Sequence, residues 1–454
     1  MLQQKTTPFN PEYFARLNYL RCINQECAHT TPLLSERKFV CPQCGNLYDV
    51  VHPESHLPNQ FEQRYIPGSK EWATAKGSAV WTFQELILPG VPTEHIVSLG
   101  ERLPIVLVEG ALHNWIGGKL DLWMALEGIT PSGSFKDFGM TVLATVAKLA
   151  KAPAIMCAST GDTSAAAAAY AAAAGLPCVV LLPKGQVSPA QLVQPLAHGA
   201  RVLQVPGDFD ACMRILQELV EHHGVYPANS LNPARIEGHQ ATVFNSWIQF
   251  GRKLPDWFVL PLGNGSNTSS IGKGISALVS RGLSEGRTSS ILSVQPEKSA
   301  PLAESFERIG GLIQLSNGNP VDSEAWTKAY VPVKSGETIA TAAKIGNPVS
   351  WKKVIREIAT HQGGVVSAQD REALEAMFVA GKSGHMICPQ TGLALAGLKT
   401  AVQNGQIAKG SRVVVVATAH GLKFTHNFLP KNAEDVGEIL SDATTSAAVK
   451  AIDL

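Results

Sequence analysis

Apolar residues recur along most of the chain in two alternating patterns. Short runs such as Ile105-Val106-Leu107-Val108, Ala154-Ile155-Met156-Cys157, Cys178-Val179-Val180-Leu181-Leu182 and Arg201-Val202-Leu203-Gln204-Val205 predict buried strands. Helical stretches lie between them: one after Lys136, an alanine-rich one from Ser164, and one after Ser188. A second series has strands at Trp257-Phe258-Val259-Leu260, Ile291-Leu292-Ser293-Val294 and Val413-Val414-Val415-Val416. Strands alternating with helices predict right-handed βαβ units and a mainly parallel sheet. The stretch 331–350 follows neither period and predicts a long functional loop. The stretch between the first fifty-odd residues and about residue 95 is loop-rich, with one short helix expected, and the tail after residue 431 predicts a helix with a frayed end.

Composition narrows this picture. A chain of 454 residues is too long for one core, so two or three domains are expected. Hydrophobic content of 45% with 17% charged residues suits a folded α/β protein and excludes a disordered one. A net charge of +1 provides no global field for nucleic acid or an acidic membrane, so attraction of a substrate must come from local charges. Ser164 to Pro183 is apolar and long, but Gly175-Leu176-Pro177 interrupts it, which favours a buried helix followed by a strand over a membrane span. The segment Met1 to Pro8 carries neither an apolar leader nor an Arg-rich transit pattern, so a cytoplasmic location is expected.

Four of the eight cysteines cluster early, as Cys22-x4-Cys27 and Cys41-x2-Cys44. Two such knuckles can close a tetrahedral zinc site with no open position, which makes its role structural. Free thiols or an iron-sulfur or redox role are the alternatives at this stage. Cys157, Cys178, Cys212 and Cys388 sit in apolar surroundings and are expected to be inert buried thiols.

Three loops carry candidate chemistry. Gly128-Ile129-Thr130-Pro131-Ser132-Gly133-Ser134-Phe135-Lys136-Asp137 places a lysine at a helix start among small residues, where it can reach a cofactor carbonyl and form an imine. A solvated lysine is the plain alternative. Gly263-Asn264-Gly265-Ser266-Asn267 follows a strand and opens a helix, so its backbone amides can cradle a phosphate. It matches neither the P-loop nor the dinucleotide fingerprint, and an ordinary strand-to-helix turn is the competing account. Ala158-Ser159-Thr160-Gly161-Asp162-Thr163-Ser164 is a second loop of this kind, suited to a carboxylate or phosphate or to simple helix capping.

Taken together, these strings resemble the threonine synthase family, pyridoxal phosphate (PLP) enzymes of fold type II, over residues 70 to 430. Ser132 to Asp137 is similar to the family's lysine loop, Ser159 to Ala165 to its substrate loop, and Gly263 to Asn267 to its phosphate loop. More specific are Asn229-Ser230-Leu231-Asn232-Pro233-Ala234-Arg235-Ile236-Glu237-Gly238 and Ile339-Ala340-Thr341-Ala342-Ala343-Lys344-Ile345-Gly346-Asn347-Pro348. Thr418-Ala419-His420-Gly421-Leu422-Lys423-Phe424 and Cys388-Pro389-Gln390-Thr391-Gly392 resemble the plant-type branch. Phe138, Ser266 and Asp162 depart from residues common in the family.

The resemblance implies two doubly wound, mainly parallel α/β domains behind a small zinc-ribbon-like segment. The expected division is 1–55 for the ribbon, 56–95 for an extension, 96–127 with 231–430 for the large domain, 128–230 for the small one, and 431–454 for the tail. It implies conversion of O-phospho-L-homoserine and water to L-threonine and phosphate by a PLP-dependent lyase acting as a homodimer. Lys136 would hold PLP and move protons. Gly263, Asn264, Gly265, Ser266 and Asn267 would hold its phosphate, Thr418 its ring nitrogen, and Asp162 would face its phenolic oxygen and share a proton with it. Ser159, Thr160, Thr163, Asn229, Ser230 and Arg235 would cradle the substrate, with Arg235 the one fixed charge; a surface Arg235 paired with Glu237 is the alternative. Thr341, Lys344 and Asn347 would belong to a loop that closes on substrate, and His420 is expected to be structural. Another fold-type II lyase, such as a serine/threonine dehydratase or cysteate synthase, and a zinc-ribbon interaction protein with a degenerate enzyme body are the competing readings.

Overall fold

The computed structural model describes residues 9–53, 57–159, 161–185, 189–285, 288–316 and 319–429. Thr160 and the expected tail helix lie outside them. Three sheets organise the chain. In the first, β1 (Tyr19–Cys22) pairs antiparallel with both β2 (Thr30–Pro32) and β3 (Tyr48–Val51). The largest contains β4 (Ile105–Leu107) and β5 (Asp121–Leu126). A four-stranded sheet follows, built from β6 (Ile155–Ala158), β7 (Cys178–Pro183), β8 (Arg201–Val205) and β9 (Tyr226–Pro227), all parallel. The chain then returns to the large sheet with β10 (Trp257–Pro261), β11 (Ser290–Pro296), β12 (Gly364–Ala368) and β13 (Arg412–Ala417).

The strand order of the large sheet is β12-β11-β10-β13-β5-β4, and only the edge strand β4 runs antiparallel. The continuous apolar runs at β10 and β13 arise because helices cover both faces; Phe258 to Leu260 and Val413 to Val416 are fully buried. The alanine run is helical over Asp162–Ala174, as alanine's propensity favours, and ends where Gly175 turns left-handed at φ +69°. Its small side chains let it pack against the Lys136–Leu149 helix. Between ribbon and sheets, the chain makes several short helical turns rather than the single helix expected, at Phe61–Tyr65, Lys70–Thr74, Trp81–Phe83 and Gln84–Ile87. Trp81 anchors them in the core and donates to Thr141 Oγ1 at 2.8 Å. Among the described residues no helix is long and apolar enough to cross a membrane.

This topology positions a site. The loops after β5, β10 and β13, strands that run parallel in one sheet, emerge on the same edge. They are the lysine loop, the glycine loop and Thr418–His420. The loop after β6 comes from the smaller sheet, and Asp162 at its end meets Lys423 of the segment after β13 at 3.1 Å. Carboxyl ends of parallel strands are where open α/β sheets bind ligands.

Candidate active site

The lysine loop is held rigidly by its own hydrogen bonds. Ser132 N donates to Asp137 Oδ2 at 2.7 Å and Ser132 Oγ to the other carboxylate oxygen. Thr130 Oγ1 donates to Ser134 O at 2.8 Å. Burial pushes the Asp137 carboxyl up to about 6, opposed by these donors. The loop is also clamped to the segment after β13: Phe135 N donates to Thr418 O at 2.8 Å and His420 N to Gly133 O at 3.0 Å. Gly128 permits this approach, since a Cβ there would lie 2.4 Å from His420 N. Lys136 thus starts its helix in a fixed place, with Nζ 3.8 Å from the centre of the Phe135 ring. Burial, and then the charge of Arg235, bring its amine down to about 7, against the opposite pull of Asp162 and Glu127. An amine near neutrality is nucleophilic and can carry protons both ways.

The glycine loop opens the Ser266–Val279 helix, with Gly265 at φ +87° as the residue before it. The stretch 331–350 lies against this loop. Ser350 N donates to Asn264 O at 3.0 Å and Val349 N to Asn264 Oδ1 at 3.3 Å. Asn267 is buried at 6% exposure, yet neither end of its amide has a partner among the described residues. Such a group is costly unless something else binds it. In the stretch itself, Lys344 pairs with Glu337, and Asn347 Oδ1 accepts from Tyr330 Oη at 3.0 Å. Thr341 opens a single helical turn, Thr341–Ala343.

Arg235 is not a surface residue. It is fully buried, and Glu237, its partner in the alternative reading, is engaged by Lys273 and His52 instead. Arg235 Nη1 donates to Ala228 O at 2.9 Å, while Nε and Nη2 meet no acceptor among the described residues. Burial lowers its guanidinium to about 10, so it stays charged at neutral pH. Its short helix, Ala234–His239, presses on the Lys136 helix so closely that side chains are excluded at the crossing. A Cβ on Gly238 would sit 1.7 Å from Phe138 O, and one on Gly139 would sit 2.7 Å from His239 Nε2. Asn229 braces the site rather than facing freely into it: its amide accepts from Ala158 N at 3.1 Å and donates to Ala158 O at 2.9 Å. That ties the end of β6 to the residues after β9, beside Ser230 and the loop of Ser159, Asp162 and Thr163.

A lysine near neutrality, an unsatisfied asparagine in a glycine loop and a buried arginine with two nitrogens that meet no acceptor among the described residues can serve a phosphate-bearing aldehyde cofactor and an anionic ligand. Known proteins agree on the cofactor. The family model described as pyridoxal-phosphate dependent enzyme matches residues 110–419. A chloroplastic threonine synthase of Arabidopsis thaliana is 35% identical over 415 residues, covering 87% of this chain and 75% of that one. The threonine synthase of Methanocaldococcus jannaschii is 33% identical over 404 residues, covering 89% and 92%. The chain belongs to the threonine synthase family of pyridoxal-phosphate-dependent enzymes. The fold agrees with the structure of the Escherichia coli threonine synthase, at a TM-score of 0.65 with 18% identity, covering 91% of this chain and 93% of that one.

Within this threonine synthase relative, two ionisable groups at the site were not expected from the sequence. Glu127, at the end of β5, is buried; Thr242 Oγ1 donates to its Oε1, and its Oε2 has no partner among the described residues. Burial pushes its carboxyl up to about 8. Lys423 donates to Ser132 O at 2.8 Å and Gln194 Oε1 at 2.7 Å, and pairs with Asp162 at 3.1 Å. The carboxylate therefore already has a cationic partner, which the idea of a proton shared with the cofactor did not include. The signals were faint: Glu127 directly precedes the lysine loop, and Lys423 falls in the Thr418–Phe424 string. His420 Nδ1 accepts from Leu422 N at 3.1 Å. Thr418 is buried, its Oγ1 3.5 Å from Cys388 Sγ.

The early cysteines converge in the first sheet. All four sulfurs lie within 4.8 Å of one another, with Cys22 and Cys44 at 3.4 Å and Cys27 and Cys41 at 3.6 Å. Zinc bonds of about 2.3 Å in a tetrahedron space the sulfurs by about 3.8 Å, which this set can reach. The other four cysteines are buried.

Proposed function

We propose that the protein converts O-phospho-L-homoserine and water to L-threonine and inorganic phosphate, with PLP held by Lys136. The observation that carries the choice of substrate is Arg235: a fully buried guanidinium with two nitrogens that meet no acceptor among the described residues suits a phosphate dianion, not a plain hydroxy amino acid. The unsatisfied Asn267 amide and the glycine loop support a separate place for the cofactor's own phosphate, shared by Gly263, Asn264, Gly265 and Ser266.

Bound at this site, PLP supplies an electron sink for the carbons near the substrate amine. The chain supplies the rest. Lys136, with its amine near 7, takes and returns protons at the substrate carbons. The neutral Thr418 hydroxyl would serve the cofactor's ring nitrogen without charging it, which would favour elimination and replacement over transamination. Asp162 would face its phenolic oxygen. Arg235, with Ser159, Thr160, Thr163 and Ser230, holds the leaving phosphate, and Asn229 keeps β6 and the residues after β9 at the spacing this needs. The stretch around Thr341, Lys344 and Asn347 excludes water over the glycine loop. Cys22, Cys27, Cys41 and Cys44 hold a structural zinc, and the enzyme works as a cytoplasmic homodimer.

The test is product analysis on the purified holoenzyme. Phosphate released from phosphohomoserine, with no keto acid formed from serine or threonine, is the expected result; the reverse makes it a dehydratase. Borohydride reduction followed by peptide mapping should label Lys136, and a label on any other lysine removes the assignment. A purified protein that binds no PLP at all would support the interaction-module reading.

A further inference from the structure

The cysteine ribbon does not hang off the catalytic body; it touches the body on both sides of the segment that carries Arg235. On one side, Phe39 packs edge-on to Tyr226 with ring centres 5.6 Å apart, and the Arg37 guanidinium lies 5.3 Å from the same ring. Tyr226 opens β9, and two residues later Ala228 O accepts the Arg235 Nη1 bond. On the other side, His52, just past β3, meets Glu237 Oε2 at 3.0 Å through Nε2, in contact with Leu17 O through Nδ1 at 3.2 Å. Glu237 also pairs with Lys273, and Lys273 donates to Val50 O of β3 at 2.6 Å. The side chains of Glu237 and His52 are 1% and 5% exposed.

Lys273 stands on the helix that Ser266 begins, two turns below the glycine loop. The end of β3 therefore fastens two helices to each other: the one bearing Arg235 and the one whose start forms the glycine loop. We propose that the four-cysteine ribbon is a positioning element for substrate phosphate, setting Arg235 against the glycine loop through His52–Glu237–Lys273 and through Tyr226. The proposal rests on the reading of Arg235 as the phosphate contact. Its physical reason is that the Arg235 side chain has a single described bond, to Ala228 O, so neighbouring contacts must fix where its other nitrogens point. A small displacement of such a contact weakens the grip on the phosphate group it positions.

The experiment compares the unsubstituted holoenzyme with His52→Gln and Arg37→Ala, one from each side of the segment. Steady-state kinetics on phosphohomoserine, inhibition by inorganic phosphate, the visible PLP spectrum and thermal melts are measured on each. Both variants are expected to raise KM and the phosphate inhibition constant about fivefold, with kcat within about twofold and the PLP spectrum unchanged. His52→Gln keeps a hydrogen-bonding group for Glu237, and Arg37 is near the surface, so at least one variant remains folded. Variants that melt lower but keep KM and phosphate inhibition overturn the brace and leave the activity standing. An unsubstituted enzyme that binds PLP yet releases no phosphate from phosphohomoserine overturns the activity, and the brace with it.

Discussion

Two sets of buried charges lie close together in this molecule, and they differ in how they are satisfied. At the seam between ribbon and body the carboxylates of Asp49 and Glu237 are each met by cations. Asp49 pairs with Lys353 and Arg356, each at 2.7 Å, Arg356 with Glu357 at 2.6 Å, and Glu237 with Lys273 and His52. These cations hold the Asp49 carboxyl well below the usual carboxylate range against its own burial. At the candidate site the ionisable groups are left open: among the described residues Arg235 Nε and Nη2 meet no acceptor and Glu127 Oε2 has no partner, and burial brings the Lys136 amine down to about 7. Burying an ion costs several kcal/mol unless it is paired. A paired ion therefore specifies architecture, whereas an unpaired one marks where a ligand completes the structure.

The largest effects should come from removing one cation of each kind. Arg235→Gln is expected to lower kcat/KM for phosphohomoserine by 10²- to 10³-fold, about 3–4 kcal/mol of lost binding to a charged group. Its melting temperature should equal or exceed the parent's, because an uncompensated buried charge is gone. Lys353→Met should behave in the opposite way, losing about 3 kcal/mol in urea unfolding while keeping kcat, since Asp49 loses its buried partner. If Arg235→Gln melts low and keeps its KM, the distinction between the two regions collapses.

Glu127 sharpens the same comparison through pH. Its folded carboxyl titrates at about 8, far above an unfolded glutamate near 4.5, so the folded state holds the extra proton. That contribution to stability is present in full below about 4.5 and is lost as pH rises through 8. Glu127→Gln, which cannot ionise, should therefore gain on the parent by roughly 1.4 kcal/mol per pH unit between those values and then level off. Urea unfolding at pH 5, 7 and 9 checks this; a constant difference across the series would mean that Glu127 is already ionised and paired in the fold.

Much of the architecture was legible because the parallel strands are buried on both faces, so they read as unbroken apolar runs at Cys178–Pro183 and Arg412–Ala417. What escaped was short or mixed: β12 opens on glycine and carries a serine, and β9 has two residues. The direction of β4 was not visible either, since an apolar run does not say which way its neighbour points. In the site, residues that sit in one local string could be named from the string. Lys423 could not, because its role depends on Ser132 and Gln194, hundreds of positions away. The burial of Arg235 was equally hidden, since it depends on Gly238 and Gly139 allowing two helices to touch.

The smallest expected effect concerns Asp162, the one charge at the site that the structure does pair. Lys423, 19% exposed, holds it at 3.1 Å, so this couple belongs partly to each of the two classes. Asp162 pulls the Lys136 amine upward, so Asp162→Asn should lower the pH midpoint of the visible band of the lysine-bound cofactor. Lys423→Met removes a cation from the same pocket, which eases protonation there and should raise that midpoint by about half a unit to one unit. Opposite shifts, titrated by absorbance on the two holoenzymes, would place the pair electrically at the cofactor. Two unchanged midpoints, with a lower melt for Lys423→Met, would assign Lys423 to the ribbon seam's class: a paired cation that joins Ser132, Gln194 and Asp162 and leaves the chemistry to Lys136.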